Sequence, residues 1–200
     1  MFNLFKKIRN WLSKPKEVTS VQSERNQDDI EQLEKCKLTH KTMPTWQGEG
    51  TMQYADLMKE NIDKYHCQTM LDYGCGKGVQ YTQFNLHEQL GLELKNIFQF
   101  DPAHAPVATE PDWNQKFDCS ICLDVLHFVT ESELDIIKSK LERSTKKVCI
   151  IGIQLDPPKP KSMLLKPYAL LKSAEWWQAK FSSWNSSSQL ILELRDNIRT

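Results

Sequence analysis

The chain has 200 residues, 40% of them hydrophobic and 26% charged, the composition of one globular domain with a tail rather than of several large domains. Lysine plus arginine equals aspartate plus glutamate at 26 each, so there is no overall basic field to hold a phosphate backbone, and a nucleic-acid substrate is not expected. No run approaches the ~18 apolar residues of a spanning helix and no secretory pattern is visible, which makes the cytosol the expected compartment.

Leu4, Phe5, Ile8, Trp11 and Leu12 share one arc of a helical wheel opposite Lys6, Lys7, Arg9 and Asn10. Residues 1–12 therefore read as a short basic amphipathic helix. It has two readings: weak contact with a membrane surface or a partner groove, and docking on the chain's own domain. Ser13 to Gln27 is polar, carries Pro15 and reads as a linker, which puts the folded domain at residues 28–200.

Within that domain, Asp28 to Lys37 and Thr51 to Tyr65 have helical patterns, and Thr69 to Tyr73 is a short apolar strand running into a glycine-rich turn. Lys77 to Gln89 reads as one helix, Asn96 to Asp101 and Phe117 to Leu123 as strands, Glu131 to Arg143 as a helix and Lys147 to Leu155 as a buried strand. After the break Asp156-Pro157-Pro158-Lys159-Pro160 come a helix over Ala174 to Phe181 and a last strand over Gln189 to Arg195. This alternation predicts an α/β fold: a doubly wound, mostly parallel sheet with helices on both faces.

The six cysteines are scattered, mostly in apolar segments, and read as reduced thiols. Cys119 and Cys122 match a C-x-x-C spacing, but on a strand residues three apart face opposite sides, so no metal site is expected.

Gly74, Gly76 and Gly78 form G-x-G-x-G between a strand and a helix, where glycine lets a ligand approach the backbone. The dinucleotide fingerprint G-x-G-x-x-G places its third glycine at Val79, which disfavours nicotinamide and flavin cofactors. Asp72 ends the first strand, where a carboxylate favours a cationic ligand group and repels a pyrophosphate. Asp101 ends the second strand, where an acid can accept ribose hydroxyls or can simply be the turn acid before Pro102.

Together, Asp72-Tyr73-Gly74-Cys75-Gly76-Lys77-Gly78, Asp101, Phe117-Asp118 and Asp124-Val125-Leu126-His127-Phe128 resemble, in order, the motifs of the class I (Rossmann-like) S-adenosylmethionine-dependent methyltransferases. The resemblance covers Thr69 to Leu155. It implies S-adenosyl-L-methionine as cofactor, with the loop Gly74, Cys75 and Gly76 at the methionine part, Asp101 at the ribose, Leu123, Asp124 and Val125 near the sulfonium, and Asp72 and Gly78 as further cofactor-binding residues. The acceptor it implies is a small-molecule or protein-linked group. Trp46 and Tyr54 are candidates to close the site, with core packing as the other reading.

Methyl transfer from a sulfonium is an in-line displacement with an activated leaving group, so positioning supplies most of the catalysis. If a base is used, His127 is the candidate, because it follows a strand at the sheet's carboxyl edge; its other reading is packing beneath the pocket. Asp156-Pro157-Pro158-Lys159 lacks the aromatic ring of the amino-group methyltransferases that act on DNA. Trp176 and Trp177 are adjacent, so only one of them can face inward from a helix. A single strand follows that helix where the family usually has two. The alternative function is therefore a catalytically silent module that binds the cofactor or a partner.

Overall fold

The computed structural model describes residues 25–156, 169–184 and 187–196. The expected N-terminal amphipathic helix, most of the linker and the prolines after Asp156 lie outside the described residues.

Five strands form one sheet: β1 (Met70–Tyr73), β2 (Ile97–Phe100), β3 (Phe117–Leu123), β4 (Thr145–Gln154) and β5 (Gln189–Arg195). Every pairing is parallel and the order is β2-β1-β3-β4-β5. The α/β expectation holds, and the sheet is parallel throughout, β5 included.

Side chains alternate across the pleat and feed two cores. On one face Met70, Cys119, Ile121, Val148 and Ile150 meet Met58 and Ile62 of α2 (Ala55–Lys64), Tyr81 of α3 (Val79–Thr82), and Leu86 and Leu90 of α4 (Leu86–Leu90). On the other, Leu71, Cys122, Cys149, Ile151 and Ile153 meet Leu134, Ile137 and Leu141 of α5 (Glu131–Ser144) and Trp177 and Phe181 of α6 (Ala174–Phe181). Each large side chain buried in this way contributes about 1.5–3 kcal/mol, which is why the two-sided strands read as continuous apolar runs. Cys119 and Cys122 fall in opposite cores. Trp177 is buried, whereas Trp176 lies half-buried beneath the ammonium groups of Lys172 and Lys180.

The predicted helix over Lys77 to Gln89 is two short helices. The chain turns at Asn85, whose φ of 50° is left-handed, a conformation asparagine tolerates better than most residues.

The first helix, α1 (Gln27–Thr42), is longer than its apolar pattern predicts. Asn26 caps it by accepting the Asp29 N–H at 2.9 Å, and Asp29 Oδ2 accepts the Asn26 N–H at 3.0 Å, a reciprocal capping box. Its buried residues are Asp29, Gln32, Cys36, Thr39 and His40, while Ile30 and Leu38 are exposed. The face turned inward is thus polar. Arg25 forks onto Glu133 of α5 through bonds of 2.8–3.0 Å, tying the residue before the cap to the body of the domain. Among the described residues no helix is long and apolar enough to cross a membrane.

Candidate functional site

Because β1 is flanked by β2 on one side and β3 on the other, the strand order reverses there, and the chain leaves β1 and β3 in diverging directions. Open α/β sheets leave a crevice outside the carboxyl ends at such a point. A cavity of about 360 Å³ lies there, within the ~300–1,000 Å³ range of ligand pockets. Gly74 and Gly76 line it after β1, Asp101 after β2, and Leu123, Asp124 and Val125 at the end of β3. The opposite wall is the polar face of α1, with Gln32, Cys36 and His40, and Trp46 closes one side. Trp46 packs edge-on against Phe128 at 4.7 Å between centroids.

Gly74 and Gly76 have φ values of 82° and 62°, which glycine adopts without strain. A Cβ on Gly74 would lie 2.2 Å from Val125 Cγ2, and one on Gly76 would lie 2.4 Å from the Trp46 carbonyl oxygen. The glycines therefore admit other segments of the chain. The loop's donors are likewise used internally: the N–H groups of Gly74 and Cys75 go to the Phe100 carbonyl, Lys77 to Trp46, Gly78 to Cys75 and Val79 to Gln47. Gly76 N–H goes to Asp101 Oδ2 at 3.0 Å. With every N–H from residue 74 to 79 bonded, the loop is not a phosphate cradle.

Asp101 is the junction between loop and cavity: Oδ2 accepts Gly76 N–H, and Oδ1 accepts Ala103 N–H at 2.8 Å. Each oxygen keeps further acceptor capacity. Asp124 has a left-handed φ of 56°, a conformation that costs a non-glycine residue about 1–3 kcal/mol and clusters at functional sites. Its Oδ1 accepts from Tyr54 Oη at 2.8 Å and its Oδ2 from Gln53 Nε2 at 3.1 Å. Burial raises the Asp124 carboxyl above its ordinary range, against the Tyr54 bond and the nearby Arg195 charge.

Asp29, Glu49, Asp101, Asp124 and Glu133 are among the residues lining the cavity, against a single guanidinium, Arg25, which Glu133 already neutralises. Burial opposes ionisation of Asp29, but bonds from Thr130, Ser132 and the Asn26 N–H leave its carboxyl below the ordinary range. The wall is net acidic. It suits a cationic ligand group and repels a pyrophosphate.

Five other residues singled out from sequence sit behind the cavity or beside it. The Asp72 carboxylate is 3% exposed and turned inward, where Oδ2 accepts from Tyr81 Oη at 2.8 Å and Gln80 Nε2 at 3.1 Å, so it does not face a ligand. Cys75 is buried, Gly78 starts α3, and Tyr54 reaches the site only through Asp124. His127 is 2% exposed and is not a lining residue; its ring packs on Phe128 at 4.2 Å and its carbonyl accepts the N–H groups of Ala169 and Leu170. Burial pushes its imidazole down to about 4. His40 and Gln32, absent from the motifs, do line the cavity.

Comparisons of the chain with protein-family models, with curated proteins and with solved structures found no match.

Proposed function

We propose that the chain is an S-adenosylmethionine-dependent methyltransferase acting on a small-molecule or protein-linked acceptor. The observation that carries this reading is the cavity at the carboxyl edge. It is bounded by carboxylates ending β2 and β3 and by a glycine loop with no free N–H, an arrangement for a nucleoside bearing positive charge and no phosphate.

Bound S-adenosylmethionine supplies an activated methyl group, and its ribose and cationic centres match the acceptors present. Asp101 would hold the ribose through charge-assisted hydrogen bonds. The turn at Gly74 and Gly76 would lie along the methionine part, and Leu123 to Val125 beside the sulfonium. The chain's work is to bind, to orient and to exclude water beneath α1; no proton step is assigned to His127, which is outside the cavity.

The test is incubation of the full chain with methyl-labelled cofactor and fractionated cell lysate. Label is expected in a discrete acceptor fraction with the wild type and strongly reduced with Asp101→Asn. Absence of any transfer, together with absence of cofactor binding, overturns the proposal. One observation favours a second reading, a silent binding module: the space over Gly74 and Gly76 is filled by Val125 and Trp46 of the chain itself. Cofactor binding without transfer to any fraction would select that reading.

A further inference from the structure

His40 lies in the last turn of α1, on the cavity wall beside Asp101, and is 8% exposed. Its Nε2 is 3.6 Å from Asp101 Oδ2. That is too long for a direct hydrogen bond and short enough for one hydroxyl oxygen to bond to both atoms at once. The ring is held from two sides, stacked on His104 at 5.3 Å between centroids and edge-on to Trp46 at 5.0 Å.

Nδ1 of His40 is buried and has no hydrogen-bond partner among the described residues. An orphaned buried N–H is rarer than an under-used acceptor, so the tautomer with its proton on Nε2 is preferred. That donor faces the one carboxylate with spare acceptor capacity at the end of β2. The pair presents an N–H donor and an oxygen acceptor to the same point, which matches a hydroxyl group's own acceptor and donor.

We propose that His40 and Asp101 jointly hold one ribose hydroxyl of the ligand, the hydroxyl donating to Asp101 Oδ2 and accepting from His40 Nε2–H. This assignment rests on the nucleoside reading of the cavity. It makes His40 a specificity residue: a ligand lacking that hydroxyl leaves both partners unpaired, a penalty larger than the loss of one exposed bond.

Isothermal titration of the full chain with S-adenosylhomocysteine and with its 2′-deoxy and 3′-deoxy counterparts tests the assignment. The wild type is expected to bind one of the two deoxy ligands about tenfold or more weaker than the parent. His40→Leu, of similar volume and without a donor, is expected to bind the parent about tenfold weaker and to show a smaller discrimination, carried by Asp101 alone. His40→Gln, whose Nε2 can stand in the place of the ring N–H, is expected to retain it. Circular dichroism of each variant confirms folding, and His40→Ala serves if the leucine does not pack. Unchanged discrimination in a folded variant without the donor overturns the proposal alone. No binding of the parent ligand by the wild type overturns the nucleoside reading and this assignment with it.

Discussion

Tyr54 donates its phenolic hydrogen to Asp124 Oδ1 at 2.8 Å, tying the turn in front of α2 to the left-handed residue that ends β3. Gly152 makes the contact possible, because a Cβ there would lie 2.7 Å from the Tyr54 ring, and the Arg195 guanidinium covers that ring at 4.5 Å. A glycine in β4, an aromatic upstream of β1 and a cation at the end of β5 thus shape the cavity wall at Asp124.

Tyr54→Phe removes this bond and leaves a largely buried carboxylate with Gln53 as its remaining side-chain donor. The expected cost is about 1–3 kcal/mol, read as a lower midpoint in urea. A midpoint unchanged within error would show that the bond does not hold the wall.

At the glycine turn, Gly76→Ala places a methyl against a backbone carbonyl, which cannot rotate away, whereas Gly74→Ala places it against the methyls of Val125. Overpacking and a left-handed alanine together cost about 2–5 kcal/mol. Gly76→Ala is expected to be the more damaging of the two. Val125→Ala is expected to recover part of the loss in Gly74→Ala and none in Gly76→Ala, measured by thermal unfolding of the double variants.

Asp72 gives the stability a pH dependence of definite sign. Burial pushes its carboxyl up to about 6, opposed by the Tyr81 and Gln80 bonds and reinforced by the charge on Asp101. The unfolded value is about 3.9, so between the two the folded state binds the extra proton. This contribution is complete below about pH 4 and is lost as pH rises through about 6, a change on the order of 2–3 kcal/mol. Asp72→Asn, which keeps an acceptor for Tyr81, is expected to match or exceed wild-type stability near neutral pH and to flatten this slope. Urea titrations across that range check it, and a large loss of stability at neutral pH would contradict it.

The polar inner face of α1 means that the helix is held over the cavity largely by polar contacts: the Arg25–Glu133 fork before its first turn, Ser132 on Asp29, and Gln32 on the Phe128 carbonyl. Arg25→Gln weakens the fork to Glu133, worth about 1.5–3 kcal/mol for charged bonds. Hydrogen exchange of α1 amides is expected to speed by about tenfold or more while β1, β3 and β4 stay protected. Equal acceleration in the sheet would mean that α1 is not a separately opening unit.

Much of the fold was legible because apolar runs bounded by turn residues have few alternatives. Phe117 to Leu123, Ala174 to Phe181 and Gln189 to Arg195 form their elements at the predicted boundaries. The helix predicted across Asn85 failed because one left-handed residue outweighed a continuing periodicity, and α1 was read short because its buried side is polar beyond Cys36. At the site, Gly74, Gly76, Asp101 and the residues 123–125 were found through strand-end motifs, since strand ends determine where a parallel sheet can open. His40 and Gln32 could not be found that way. They reach the cavity from a helix far upstream, and only the tertiary fold brings them to Asp101 and Phe128. Asp72 and His127 carried the right chemistry at strand ends, but their side chains are turned into the interior.

Isothermal titration of the full chain with S-adenosylmethionine and S-adenosylhomocysteine tests directly whether the cavity holds a cationic nucleoside. Saturable one-to-one binding of both is predicted, weakened about tenfold or more by Asp101→Asn, in which a charged acceptor becomes a neutral one. No binding of either ligand, or binding that Asp101→Asn leaves unchanged, would mean that the cavity is not a nucleoside site held by Asp101.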